Sequence, residues 1–319
     1  MMRSFLISLS RAEWARRMMT RLRFVRRMAR RFVAGETPEE AIQAVSELNG
    51  RGILATLDHL GENTQSLEEA HQATRQILAI LDEIQRAGVQ ANISIKLSQI
   101  GLALDHSACL DNLGEILETA GKLQNFIRLD MEDATLTTRT LEIYAHFRDA
   151  GYENLGVVIQ AYLYRSEEDI RSLGARGARV RLCKGAYQEP ASIAFPKKAD
   201  VDANYDRLAG LLVNQALEAC SPPISADRRT PPIPAFATHD PRRIAHAREA
   251  AGRMGLPMEA VEFQMLYGIR RDLQDELARQ GYPVRVYVPY GSHWYPYLMR
   301  RLAERPANLW FFAANFLRK

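Results

Sequence analysis

The chain has 319 residues, of which 47% are hydrophobic and 25% charged. That length suits one α/β barrel with an extension, or two modest domains, and the composition excludes a disordered, collagen-like or disulfide-stapled chain. No apolar run approaches the ~20 residues that cross a bilayer, and Cys109, Cys183 and Cys220 form no CxxC pair, which argues against a zinc ribbon and for a reducing compartment.

The net charge of +4 is unevenly spread. Residues 1–36 carry ten arginines against Glu13 and Glu36, a balance of +8, so the remaining 283 residues sum to −4. Trp14, Met18, Leu22, Val25 and Phe32 recur at helical spacing and form an apolar stripe, with arginine on the other faces. This arm reads first as a helix packed on the body with a solvated basic face. A helix lying on an anionic membrane surface, a transit peptide and a nucleic-acid arm are the alternatives. No nucleic-acid signature accompanies the arginines, and the apolar stretch Phe5–Leu9 is too short for a secretory signal.

After residue 50 the pattern alternates. Strands are predicted at 52–58, 91–97, 126–132, 156–162, 178–186, 234–240, 261–266 and 284–290. Helices are predicted between them at 66–87, 136–150, 202–220, 241–254 and 270–280, with a last one beginning near Ser292. Eight strands alternating with helices predict a (β/α)8 barrel, with a doubly wound sheet as the competitor. Gly50-x-Gly52 precedes a strand instead of following one, so it reads as a helix stop and a tight entry, not a phosphate loop. The proline-rich stretch 221–234 reads as a long barrel loop. No GxxxxGK[ST], HExxH or GxSxG motif occurs.

Barrel active sites lie at the C-terminal strand ends. The polar residues there are Asp58, Lys96, Asp130, Glu132, Gln160, Arg181, Lys184, His239, Asp240 and Tyr287. A buried Lys96–Asp130 ion pair is one reading; a catalytic mouth ringed by acids and bases is the other. Lys96 as a Schiff-base lysine is a third, opposed by the nearby acids Asp130 and Glu132, which would keep it protonated. In the last helix Tyr297, Arg300, Arg301 and Glu304 share one face. They form either a solvated ion-pair face or a clamp in which adjacent guanidinium groups chelate a carboxylate.

Taken together, ATLDHLGE at 55–62, SIKLSQ at 94–99, RLDMED at 128–133, VVIQAYLYR at 157–165, RVRLCKGAYQE at 179–189, FATHD at 236–240, EFQMLYGIR at 262–270, RVYVPYG at 285–291 and YLMRRLAE at 297–304 resemble the proline dehydrogenase family. The last is similar to the family's YxxRRxxE signature. The resemblance runs from residue 32 to the end, and the length resembles the short monofunctional bacterial form.

The resemblance implies a distorted (β/α)8 TIM barrel, with residues 1–50 as a helical arm packed on it, residues 51–319 as the catalytic barrel, and the last helix over its mouth. It implies FAD as cofactor, and hydride transfer from proline C5 to flavin N5. The product is 1-pyrroline-5-carboxylate, the electrons pass to a membrane quinone, and 1-pyrroline-5-carboxylate dehydrogenase acts downstream. By motif position, Arg300 and Arg301 hold the substrate carboxylate. Lys96 and Glu304 pair over proline, with Asp130 supporting the lysine. Tyr187, Leu266, Tyr287 and Tyr297 wall the ring, and Tyr287 disfavours 4-hydroxyproline. Arg181 lies near flavin N5 and Gln160 contacts the flavin. Cys183, Lys184, Gly185 and Ala186 cradle it, and Thr238 and His239 approach its ribose or pyrophosphate end. Cys183 departs from the aliphatic residue expected there and reads as an inert buried thiol. No metal and no nucleic acid is expected. The expected location is the cytoplasm, with peripheral contact of the basic arm at the inner face of the membrane. A dehydrogenase of another cyclic imino acid, a cofactor-free lyase using Lys96, and a non-enzymatic adaptor built on the arm are the competing functions. Deleting residues 1–31 is expected to abolish an adaptor but to spare an enzyme acting on soluble acceptors.

Overall fold

The structure is a computed structural model that describes residues 18–19, 23–61 and 64–304; for Arg23, Phe24, Ala303 and Glu304 only the backbone is described. Trp14 and Leu22 of the arm's stripe therefore lie outside the described residues, as does the side chain of Glu304.

Among the described residues, the helices α1 (Arg23–Ala29) and α2 (Pro38–Asn49) precede the first strand. Then follow β1 (Leu54–His59), α3 (Leu67–Ala87), β2 (Ala91–Ile95), α4 (His106–Lys122), β3 (Ile127–Leu129), α5 (Ala134–Asp149), β4 (Leu155–Gln160), α6 (Ser166–Gly174) and β5 (Arg179–Cys183). The chain continues through α7 (Lys198–Glu218), β6 (Pro234–Ala237), α8 (Pro241–Met254), β7 (Glu262–Leu266), α9 (Arg271–Arg279), β8 (Val284–Tyr290) and α10 (Trp294–Glu304). The strands pair in sequence order and the sheet closes on itself, with β8 running parallel to β1 from Leu54 opposite Arg285 to His59 opposite Tyr290. Closure makes this the (β/α)8 barrel and excludes the doubly wound sheet.

All eight predicted strands are present. The third ends at Leu129, so Asp130, Met131 and Glu132 leave the sheet and line its rim. The entry at residue 50 is as read: α2 stops at Asn49, Gly52 takes φ +74°, and β1 begins at Leu54. Side-chain oxygens cap the helices after β1, β2, β3 and β6: Ser66, Asp105, Asp133 and Asp240 accept from the amides of Glu69, Ala108, Thr135 and Arg242.

The arm's described part packs against the last helix. Val25, Ala29, Phe32 and Val33 share an apolar cluster with Leu60 and with Trp294, Tyr295, Tyr297, Leu298, Met299 and Leu302 of α10. Arg26, Arg27, Arg30 and Arg31 are exposed, and Met18 is 52% exposed. The backbone oxygen of Arg31 presses so closely on Gly268 (φ +73°) that any Cβ there would clash. This changes the expected outcome of one truncation. Removing residues 1–31 would strip Val25 and Ala29 from α10, so a deletion that spares the barrel has to stop before Arg23.

Candidate active site

Alternate strand residues point into the barrel. Their bonds prove the direction, because they join strands that are not neighbours. Arg181 on β5 donates through Nη2 to Ser94 Oγ on β2 (3.0 Å), through Nη1 to Asp130 Oδ1 just past β3 (2.7 Å), and through Nε to Gln264 Oε1 on β7. Tyr287 on β8 donates its hydroxyl to Asp130 Oδ2 (2.6 Å), and the Arg181 guanidinium lies 5.4 Å from the centre of the Tyr287 ring. Asp130 is thus a bridge between an arginine and a tyrosine. Burial and then the charges of Asp130 and Asp58 hold the Tyr287 hydroxyl well above its ordinary value, so it remains a donor.

The lysine has a different acid from the one expected. Lys96 Nζ donates to both oxygens of Asp58, at 3.1 and 3.2 Å, and Lys96 and Asp58 are 8% and 1% exposed. Asp58 is thus the carboxylate that supports Lys96, and Asp130 serves Arg181 and Tyr287 instead. The reason is geometric: β1 and β2 are neighbours, and Lys96 stands one residue past β2 beside the end of β1. A carboxylate at this distance favours the charged form of a lysine, which opposes Schiff-base chemistry. The second rim acid, Glu132, accepts from the amide of Ser98 (3.0 Å) and from its hydroxyl.

At the end of β4, Gln160 is 3% exposed. Its amide nitrogen donates to the carbonyl oxygens of Met131 (3.4 Å) and Glu132 (3.2 Å), while Oε1 is buried with no donor among the described residues. After β5, Gly185 takes φ +105° against the ring of Tyr162, where a Cβ would clash. Ala186 beside it is exposed and Tyr187 is half-buried. Burial pushes the Cys183 thiol up to about 11, in keeping with an inert thiol. Lys184 Nζ is held by Asp202 (2.5 Å) and Asp240 (3.0 Å). Thr238 Oγ1 accepts from the Asp240 amide (3.1 Å), and His239 Nε2 accepts from the Leu266 amide (2.9 Å), tying the ends of β6 and β7 together. A flavin fits this rim: its ring carries an N–H for the orphaned Gln160 oxygen, and the glycine turn lets the backbone come close to the edge.

On α10, Tyr297 is buried, and Arg300 and Arg301 are half-buried neighbours. The Arg301 guanidinium stacks 5.2 Å from the Tyr297 ring centre. Two adjacent guanidinium groups suit a carboxylate. Ser94, Gln264 and Tyr162 were not singled out in the sequence. Ser94 and Gln264 each stand two residues before a predicted site residue, Lys96 and Leu266, and period two alone marks them as inward-facing.

The sequence model of the family described as proline dehydrogenase matches residues 41–314. The chain is 41% identical over 291 residues to proline dehydrogenase 1 of Bacillus subtilis, covering 91% of each. It is 42% identical over 295 residues to the proline dehydrogenase of Deinococcus radiodurans, covering 91% of this chain and 90% of that one. Among solved structures it resembles proline utilization A from Bdellovibrio bacteriovorus inactivated by N-propargylglycine, with a TM-score of 0.78 and 28% identity over 87% of this chain. The chain spans 32% of that longer protein.

Proposed function

Because the chain belongs to the proline dehydrogenase family and is an enzyme that oxidises proline to 1-pyrroline-5-carboxylate, we propose a division of labour among its residues. The chemistry that a bound FAD supplies is acceptance at N5 of the hydride leaving proline C5, and delivery of the electrons to a membrane quinone.

Gln160 Oε1, buried with no donor among the described residues, would accept a flavin N–H. The backbone of Cys183, Lys184, Gly185 and Ala186 cradles the cofactor, and Thr238 and His239 border its ribose end. Lys184 is already neutralised by two carboxylates, so the cradle works through its backbone N–H groups more than through that charge. Arg181 stands on the flavin side and stabilises negative charge there. Arg300 and Arg301 would grip the substrate carboxylate and fix the ring's orientation. Lys96, held by Asp58, and Glu304 cover the substrate; Tyr187, Leu266, Tyr287 and Tyr297 wall it. The Tyr287 hydroxyl is tied to Asp130 and cannot swing aside for a ring hydroxyl, which supports proline over 4-hydroxyproline.

The observation that carries this reading is the Asp130 bridge: one carboxylate joins the flavin-side arginine to the tyrosine on the substrate side. The exposed arginines of the arm are the proposed contact with the membrane that holds the quinone; among the described residues no helix is long and apolar enough to cross it. A dehydrogenase for the aldehyde form of the product then acts downstream.

A visible spectrum of the purified protein, recorded before and after anaerobic addition of L-proline, tests the reading. Flavin absorbance that bleaches with proline is the expected result. Bound flavin indifferent to proline would overturn the substrate assignments, and no flavin uptake after adding FAD would overturn the cofactor site.

A further inference from the structure

Each of the three guanidinium nitrogens of Arg181 has a partner, and the partners differ in charge. Nη1 meets the carboxylate of Asp130, Nη2 the hydroxyl of Ser94, and Nε the amide oxygen of Gln264. Arg181, Ser94 and Gln264 are 5%, 1% and 4% exposed, so no bulk solvent competes for these bonds.

The amide of Gln264 has only one workable orientation. Its Nε2 donates to Glu262 Oε1, two residues earlier on β7, and a carboxylate only accepts. Oε1 therefore has to face Arg181. Turned over, the amide would set its N–H groups against the arginine's N–H and its oxygen against the carboxylate. Glu262 is itself fixed: Arg285 Nε donates to both its oxygens, at 3.0 and 3.1 Å, and the two residues are 0% and 1% exposed. A chain of directed bonds thus climbs the barrel interior from Arg285 through Glu262 and Gln264 to Arg181.

We propose that Gln264 is a positioning residue for the flavin: oriented by Glu262, it holds the Arg181 guanidinium in place and thereby sets the reduction potential of the bound cofactor. The proposal rests on the reading that Arg181 faces the flavin. A neutral amide suits this task better than an acid. It holds Nε without adding a second negative charge, so Asp130 is the carboxylate bonded to Arg181 and much of the arginine's field is left for the reduced cofactor.

The test is a reductive titration of the FAD-loaded protein against a reference dye, in wild type, Gln264→Met, Arg181→Met and the double variant. Gln264→Met removes the acceptor at similar volume. Gln264→Asn, which withdraws the oxygen by one methylene, replaces it if the methionine variant does not fold. Either change is expected to shift the two-electron equilibrium at least tenfold toward oxidised flavin, about 30 mV more negative. In the Arg181→Met background the same change is expected to add nothing, because the residue acts through the arginine. A Gln264 variant at the wild-type potential overturns the proposal, as does an equal shift with and without Arg181. If Arg181→Met itself leaves the potential unchanged, the underlying reading fails, and the proposal with it.

Discussion

Asp130→Asn is the most informative single substitution. It keeps size and one acceptor while removing the charge that faces Arg181 at 2.7 Å and one acceptor for Tyr287 at 2.6 Å. Asp130 and Arg181 are 8% and 5% exposed, so the arginine is left charged, buried and short of its anion. Breaking such a pair from one side costs ~3–5 kcal/mol. At ~2 °C per kcal/mol, the low end suited to a larger chain, the melting temperature falls by ~6–10 °C. Circular dichroism melts at neutral pH measure this directly. The double variant Asp130→Asn, Arg181→Met recovers part of the loss, since no uncompensated buried charge remains. A single variant that melts within ~2 °C of wild type, or a double variant as unstable as the two single losses combined, would refute the reasoning.

Two further predictions follow from the same geometry. Arg300→Lys replaces a planar fork by a point charge and forfeits a charge-assisted bond worth ~1.5–3 kcal/mol, so the Michaelis constant for proline rises ~10–100-fold while FAD stays bound; steady-state kinetics with a dye acceptor decide it, and an unchanged constant removes the clamp. Burial, aided by His293 and Lys96, holds His59 down at about 4 against an ordinary 6.5. The fold favours neutral His59, so its contribution is fully present above pH 6.5 and is lost as the pH falls from 6.5 through 4, by up to ~3 kcal/mol. Urea denaturation across that range should show a shallower pH dependence in His59→Phe than in wild type, and parallel curves would sink the assignment.

The barrel was legible because eight short apolar or β-branched runs recur with helical segments between most of them, and local signals of that kind survive without tertiary knowledge. Helices α4 and α6 were not. The apolar face of α4 is carried partly by Cys109 and Ala120, with glycines at 114 and 121, and α6 has only nine residues with three acids in its first turn. In the site, the residue types were legible but their partners were not. Lys96 stands closer in sequence to Asp130 than to Asp58, yet the register of β1 against β2 gives it Asp58. For Gln264, period two marks the inward face but not the partner it meets there. Its role exists only once β5 and β7 flank β6 in the closed barrel.

The polar barrel interior has a bearing on how the chain can be divided. Cut between β4 and β5, the barrel would give two halves of similar plan. Lys96 with Asp58 and Arg285 with Glu262 would stay within one half each. Arg181 with Asp130, Tyr287 with Asp130, and Arg128 with the carbonyl oxygen of Arg179 would all be severed. Each half would then bury or expose charges whose partners are on the other piece. Fragment complementation at that seam is therefore all-or-none: the halves are expected to be poorly folded alone and to gain structure only together, whereas an apolar barrel interior would let each half collapse independently.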